Sequence, residues 1–558
     1  MPPPLSVAYF TMEIGLRSEM PTFAGGLGIL AADILQSCAD RGVAAVGMTV
    51  RWRHGYLRQR LKPDGSQEYE NVSWNPEHFL RRLPQTVTVD IDRHPVRIGV
   101  WLLELRGEGG HVVPVYFLDT DLPENAPQDR DITARLYGGD QAMRIRQELA
   151  LGIGGVRMLR ALGYGDVGTF HMNEGHAAFL TLELLRERGF ADDAVRPSCA
   201  FTTHTPVRAG HDVFPYDLAW RVAGDNLPWH IRTLAGDDAL SMTRLAMSLG
   251  RYTCGVSQIH GAVSRRMFPG SHIDAITNGV HHVRWASPEM RELFDASLPG
   301  WRSHPALLGQ ALRHLPDEPL WRAHDLAKRR LCAYVMDHAG MRLDPDVLLI
   351  ASARRVVPYK RPELLYTNLE RFRDVCRHSG KSPRVQILHA GNAHPDDPFS
   401  QEVIKRMVQR SHELKDCARI VYLDNYNPDL AQLLVAGADV WLNTPIRLME
   451  ASGTSGMKAS LNGTVNCSTL DGWWAEGYAR DSEAGWRIGP MALYMNPDED
   501  RAVDAEDLYT QLQFEVIPQY ENPDRTKWTE RMKRAIALIG HFNTDRCVSE
   551  YQEKAWGG

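Results

Sequence analysis

In the second half of this 558-residue chain, short apolar runs recur with helix-length stretches between them. Residues 346–351, 385–389, 420–423, 440–442 and 464–467 each read as a buried strand, and 362–378 and 397–414 as helices. Alternation at this spacing specifies a parallel sheet of Rossmann type, covered by helices on both faces. The first half opens in the same way. Val7-Ala-Tyr-Phe10 is a first strand, a glycine-rich turn follows, 29–42 is a helix with one apolar face closed by Gly42, and 43–50 is a second strand. Between about 60 and 120 the pattern changes to alternating apolar and polar residues (86–91, 96–105, 112–118), which predicts a β-rich insertion. A long helix over 142–162 follows, its arginines and Glu148 read as a solvated or salt-bridged face. A charged amphipathic helix over 321–339 bridges to the second domain, which sets expected boundaries of 1–318 and 319–558. The stretch 505–555 is helical, and its last helix is expected to return to the first domain.

In such sheets, ligands bind beyond the carboxyl ends of the strands. Three stretches fall there. The first is Thr22-Phe-Ala-Gly25-Gly26-Leu27-Gly28, a strand–turn–helix that offers backbone amides to an anion, or a plain tight turn. The second carries four cations in eight residues, Arg354, Arg355, Lys360 and Arg361. Such a run is usually a solvated face; at a strand end it lines the crevice, where arginine and lysine can bind phosphate. The third is Glu450-Ala-Ser-Gly-Thr-Ser-Gly-Met-Lys458, continuing to Asn462-Gly463 and Asp471-Gly472. Its small residues free backbone N–H groups for an anion. Lys458 is either a solvated lysine, a phosphate partner, or an amine that condenses with an aldehyde. Two histidine tracts, His171-Met-Asn173-Glu174-Gly175-His176 and Thr202-Thr-His204-Thr205, read either as cleft residues or as a capped helix start and a core histidine. His211, His281 and His282 fit no helical metal-ligand spacing.

The formal net charge of -6 gives no reason to expect nucleic acid or a membrane surface as partner. The N-terminus shows no signal-peptide pattern. Eight cysteines without a Cys-x-x-Cys pair suit a reduced, cytoplasmic setting.

Every fixed letter of the Glu450–Lys458 tract, with Leu-Asn462-Gly463 and Asp471-Gly472, resembles the pyridoxal-phosphate site of the α-glucan phosphorylases, in their shorter bacterial form. The resemblance runs in order from Tyr9 to about Tyr478. It includes the glycine turn, the tract 51–58, Asn-Glu-Gly-His176, Thr-x-His204-Thr, 248–264, Asn278-Gly-Val-His, and the motif ending Tyr-Lys360-Arg. It implies α/β architecture of the GT-B kind, two Rossmann-like domains facing across a cleft. It also implies reversible, retaining phosphorolysis of α-1,4-glucan or maltodextrin with inorganic phosphate, yielding glucose 1-phosphate. Pyridoxal 5'-phosphate would be held covalently by Lys458, with Gly453, Thr454, Ser455, Arg354, Lys360 and Gly26 around it. The sugar and its phosphate would meet Gly25, Gly26, Leu27, His176, His204, Asn278, Glu450, Ala451, Ser452 and Gly453. Lys458, Arg355, Lys360, His204 and Glu450 would carry the catalysis. Phosphate groups brought close together repel unless cations surround them, which gives the basic tract its purpose. A homodimer without phosphorylation control is expected. Three positions depart from the family pattern: Asn427 stands where the longer enzymes have arginine, with Arg447 or Arg354 the expected substitutes. Ser455 replaces glycine, and Cys254 replaces asparagine. Two rival functions remain at this point, a nucleotide-sugar glycosyltransferase of the same fold and a glucan-binding relative without activity. Glycosyltransferases of that kind carry a second glutamate where Lys458 stands.

Overall fold

The computed structural model describes residues 4–55, 57–377, 383–491 and 497–557. Tyr56 of the 51–58 tract and His378 at the end of an expected helix lie outside them. The chain divides into two compact units. Unit 1 is Met1–Leu57, Asn71–Thr277 and Thr544–Gly558; unit 2 is Arg58–Glu70 and Asn278–Asn543. The division falls after Thr277 rather than at 318/319, because the segment that follows packs on unit 2. Asn462 accepts the Ser287 N–H and donates to the Trp285 carbonyl.

Unit 1 is built on a nine-stranded sheet: β1 (Leu5–Thr11), β2 (Ala45–Val50), β3 (Arg81–Ile91), β4 (His94–Arg106), β5 (Val112–Asp119), β6 (Val167–Asn173), β7 (Cys199–Thr202), β8 (Tyr252–Gly255) and β9 (Asp274–Ala275). Their order is β9-β8-β7-β6-β1-β2-β5-β4-β3. Neighbours from β9 to β5 are parallel, and β4 and β3 extend the same sheet antiparallel. The strands expected as an insertion are therefore an arm of the main sheet. Helix α1 (Gly26–Asp40) joins β1 to β2, and α2 (Gln141–Ala161) precedes β6. Strand β1 is buried on both faces, as a central parallel strand must be. Val7 and Tyr9 pack with Ile34 and Leu35 of α1; Ala8 and Phe10 pack with Leu149 and Val156 of α2. Each such aliphatic or aromatic side chain contributes about 1.5–3 kcal/mol on burial.

The helix Thr544–Lys554 belongs to unit 1. Thr544 bonds the Ser37 hydroxyl of α1 at 2.6 Å, and Arg41 pairs with Asp545 at 3.0 Å. Beyond it, Trp556 Nε1 donates to His171 Nδ1 at 2.9 Å, and the Tyr551 ring meets the same imidazole edge-on.

Unit 2 holds a six-stranded, all-parallel sheet of β10 (Leu348–Ala353), β11 (Val385–Ala390), β12 (Ala418–Leu423), β13 (Val440–Asn443), β14 (Val465–Thr469) and β15 (Gly485–Ile488). Its order, β12-β11-β10-β13-β14-β15, is the doubly wound arrangement that reverses direction between β10 and β13. Helices α3 (Asp317–Ala339), α4 (Pro398–Glu413), α5 (Pro428–Gly437), α6 (Thr454–Leu461) and α7 (Gly472–Arg480) belong to this unit. Each unit is thus one of the two Rossmann-like domains of a GT-B chain. Among the described residues, no helix is long and apolar enough to cross a membrane.

Candidate functional site

In unit 2, the two strands at the switch point deliver the basic tract and the Lys458 turn. Strand β10 runs into Arg354, and β13 runs through Thr444 and Glu450 into α6. The turn is braced from behind by the Asp471-Gly472 step. Asp471 accepts the Glu450 N–H at 2.8 Å and the Gly472 N–H at 2.8 Å, and Trp473 N–H donates to the Ser452 carbonyl. Gly472 has φ 52, and a Cβ there would lie 2.4 Å from the Ser452 oxygen, so only glycine fits. Lys458 sits on α6, 8% exposed, with Nζ 3.9 Å from the ring centre of Trp285. Asn462, one turn on, accepts Ser287 N–H and donates to the carbonyls of Trp285 and Lys458, which ties the lysine's helix to the indole beneath it.

Arg354 is buried, donates to the Leu442 carbonyl at 2.7 Å, and leaves its Nε without a partner. Burial pushes its guanidinium down to about 10, with the Glu450 charge only partly opposing. A dry cation with an unused donor is a receptor for an anion. Lys360 Nζ lies 3.0 Å from Glu450 Oε2, and Arg355 is exposed. Arg361 does not line the site: it is buried, bonds the carbonyls of Thr444 and Pro445, and pairs with Asp504 at 2.6 Å. It anchors the segment that leads to Glu450. Gly453 precedes α6 with φ 80, Thr454 and Ser455 begin it half-buried, and the Ser455 hydroxyl accepts from Trp441 Nε1. The Ser452 hydroxyl is buried without a partner, Ala451 is buried beside it, and Asn278 opens the unit's long segment, Asn278–Asn543. A buried amine over an indole, a bare arginine Nε and a small-residue helix start together fit an anionic aldehyde such as pyridoxal phosphate.

In unit 1 the sheet turns at β1, between β2 and β6. Thr11 lies opposite Asn173, and Asn173 opposite Thr202. Thr11 donates its hydroxyl to the Glu13 carbonyl, so it accepts from Asn173 Nδ2 at 3.1 Å. The Asn173 oxygen therefore faces His204 Nε2 at 2.6 Å, and that nitrogen carries the proton. Burial, reinforced by neighbouring histidines, lowers His204 to about 3, so the ring is neutral with Nδ1 as an acceptor. Glu174, at φ 74, accepts the His204 N–H and the Thr205 hydroxyl. His176 is buried against Arg144 (3.2 Å) and Asp212 (3.4 Å). Gly25, Gly26 and Leu27 open α1. Of the two readings of the α2 arginines and Glu148, the salt-bridged one holds: Glu148 is fully buried and lies 3.4 Å from Arg144. Its carboxyl is raised well above the usual range by burial and by Asp212. His211 bonds Thr243 and the Thr205 carbonyl, and His281 caps a helix through Arg284 N–H. Among the described residues, no group of three or more His, Cys, Asp or Glu is placed to hold a metal ion.

Residues 221–477 match the carbohydrate phosphorylase family. Maltodextrin phosphorylase of Thermococcus litoralis is 36% identical over 98% of this chain and 70% of its own length. Glycogen phosphorylase of Aquifex aeolicus is 34% identical over 98% and 85%, and that of Mycobacterium tuberculosis 36% over 99% and 70%. The chain belongs to the carbohydrate phosphorylase family. The departures from the family pattern find local explanations. Asn427 caps α5, its Oδ1 accepting Leu430 N–H at 3.0 Å. Arg447 donates to the carbonyls of Pro490 and Met491, and Arg354 keeps its Nε without a partner. Cys254 is buried beside the Thr202 hydroxyl, its thiol pushed up to about 12 by burial. Sequence reasoning gave no role to Trp285, Asp471 or Glu13. Of these, Asp471 had a signal, since aspartate is a favoured helix N-cap and the glycine after it allows a tight approach.

Proposed function

We propose that this phosphorylase-family protein cleaves α-1,4-glucan or maltodextrin with inorganic phosphate, releasing α-D-glucose 1-phosphate with retention, and runs the reaction in reverse. The observation that carries the proposal is the buried Lys458 on the Trp285 ring, on the helix that follows β13, with the buried Arg354 Nε free at the end of the adjacent β10. A buried arginine with an unused Nε calls for an anion beside it, and a lysine on the helix after the neighbouring strand can condense with an aldehyde. Pyridoxal 5'-phosphate would match both, anchored by Lys458, with Arg354, Gly453, Thr454, Ser455 and Lys360 to hold it. When bound, the group supplies a phosphate whose second pKa near 6 lets it hold or release a proton at neutral pH.

The chain's own residues then do the following. Arg355 and Lys360 hold orthophosphate. Glu450, Ala451, Ser452, Gly453 and Asn278 orient the sugar's hydroxyls, with the Glu450 carboxylate as acceptor. His204, through neutral Nδ1, accepts a sugar hydroxyl, and His176, Gly25, Gly26 and Leu27 complete the contacts. A phosphate oxygen bonds to the anomeric carbon as the bond to the glycosidic oxygen breaks, and the proton of the orthophosphate passes to that leaving oxygen. No hydrolase-type carboxylate pair is required. All eight cysteines are free and buried, which suits a cytoplasmic setting, and a homodimer is proposed as the working form.

The purified protein is expected to show pyridoxal absorbance, a borohydride-trapped adduct mapping to Lys458, and phosphate-dependent release of glucose 1-phosphate. If no such absorbance is present and Lys458→Ala retains that release, the proposal is wrong. Transfer from ADP-glucose or UDP-glucose instead of phosphorolysis would favour a glycosyltransferase.

A further inference from the structure

Glu13 follows β1 and is 3% exposed. Its Oε2 accepts the N–H groups of Ala24 (2.7 Å) and Gly25 (3.1 Å), the two amides that enter the glycine turn. Around it the backbone closes a clasp: Ile14 N–H donates to Thr22 O, the Thr22 hydroxyl to Ile14 O, and Gly15 N–H to Gly28 O. Gly28 is small because of this carboxylate, since a Cβ there would lie 2.9 Å from Glu13 Oε2 and 2.7 Å from Phe23 Cβ. The other carboxylate oxygen accepts the Tyr137 hydroxyl at 2.8 Å. Tyr137 takes a left-handed conformation, φ 58, that a bulky residue adopts only when its surroundings enforce it. Its ring carries Arg144 at 4.4 Å, and Arg144 in turn meets Asp212 and His176.

We propose that Glu13 and Tyr137 are positioning residues that set the glycine turn. The carboxylate occupies the amides of Ala24 and Gly25, and so reserves the next two, Gly26 and Leu27, for the substrate phosphate or sugar. The first N–H groups of a helix have no intrahelical acceptor. Without Glu13, four consecutive donors would compete for the ligand, and the turn would lose the tie that fixes its direction. The strained tyrosine holds the carboxylate's other oxygen and keeps it from rotating away. This rests on the phosphorolysis reading for its ligand, but the clasp itself can be measured without turnover.

The test uses the holoenzyme and its Glu13→Ala, Glu13→Gln and Tyr137→Phe variants. Hydrogen–deuterium exchange of peptides covering residues 22–28 reads the clasp directly. Steady-state kinetics with glucose 1-phosphate and maltodextrin read its consequence. Glu13→Ala is expected to speed exchange of the turn amides and to raise KM for glucose 1-phosphate about tenfold, with kcat held within about threefold, the loss of one charge-assisted contact pair. Glutamine keeps an oxygen for both amides and an NH2 group for the tyrosine oxygen, so Glu13→Gln should return KM to within about threefold of the parent. Tyr137→Phe should give an intermediate rise. Unchanged exchange in Glu13→Ala overturns the proposal, and so does a Glu13→Gln variant as impaired as Glu13→Ala. If Glu13→Ala does not fold, Tyr137→Phe with parental exchange and KM overturns it. A parent enzyme that exchanges as expected but shows no phosphorolysis refutes the functional reading and leaves the clasp standing.

Discussion

Asp439→Asn should weaken unit 2 more than almost any other conservative change. Asp439 precedes β13 and is fully buried. Its carboxylate accepts His324 Nε2 at 2.8 Å, Lys328 Nζ at 2.6 Å and Leu349 N–H at 2.7 Å. Lys328 also donates to the Val347 carbonyl and the Tyr520 hydroxyl. One side chain thus joins α3, the start of β10, the start of β13 and the Tyr520 helix. Asparagine keeps the shape but leaves the ammonium of Lys328 buried with neutral partners only. Removing one member of a buried ion pair costs about 3–5 kcal/mol, and at ~2 °C per kcal/mol for a unit this large the melting temperature should fall by about 6–10 °C. Burial works to raise the Asp439 carboxyl, but Lys328 and His324 outweigh it and hold it below the usual carboxylate range. With the folded value depressed, the contribution is present above about pH 4 and fades as pH falls through the folded value. Calorimetry across that range reads the drop, and hydrogen exchange in β10 and β13 assigns it to unit 2. The Lys328→Met/Asp439→Leu double variant, which removes both charges, should lie closer to the parent than Asp439→Asn does. A single variant within about 1 °C of the parent would refute the reasoning, as would a double variant less stable than the single one.

Burial pushes the Asp471 carboxyl up to about 7 against the pull of the Glu450 and Gly472 amides. An acid raised on folding stabilises below its unfolded pKa near 4 and loses that contribution as pH rises to about 7, so Asp471→Asn should flatten the stability–pH curve between those values in chemical denaturation. Asn462→Ala strands the buried Ser287 N–H and frees the Lys458 helix from Trp285, and should cost about 1–3 kcal/mol by urea denaturation while lowering retention of pyridoxal on dialysis. Trp556→Ala empties the pocket over His171 and should cost about 3–5 kcal/mol, read as a lower melting temperature of unit 1.

Local pattern was enough to find most elements. The runs at 346–351, 385–389 and 420–423 became β10, β11 and β12, and the 142–162 helix is α2 within a residue at each end. Periodicity and glycine punctuation carry that information within a short window. Pairings over long separations stayed hidden. Glu148 read as part of a solvated or salt-bridged face, with no sign of Asp212, which lies far along the chain, and Lys328 gave no sign of Asp439. Antiparallel β3 and β4 read as an insertion because alternation reveals a half-exposed strand but not which sheet it joins. In the candidate site, the Glu450–Lys458 turn was legible from its small residues. Trp285 was not, since a tryptophan beside a lysine in space need not be near it in sequence.

Unit 1 is assembled from the beginning of the chain and from its far end, with almost all of unit 2 lying between them in sequence. Domains emerging from the ribosome fold as units once their parts are available. The wall formed by Tyr9, His171 and Thr202 lacks Tyr551 and Trp556 until synthesis has passed through every strand of β10 to β15. The later-encoded half can therefore close its sheet first, while the earlier half waits with an aromatic seat uncovered, a window in which chaperone engagement or proteolysis would act on the N-terminal part.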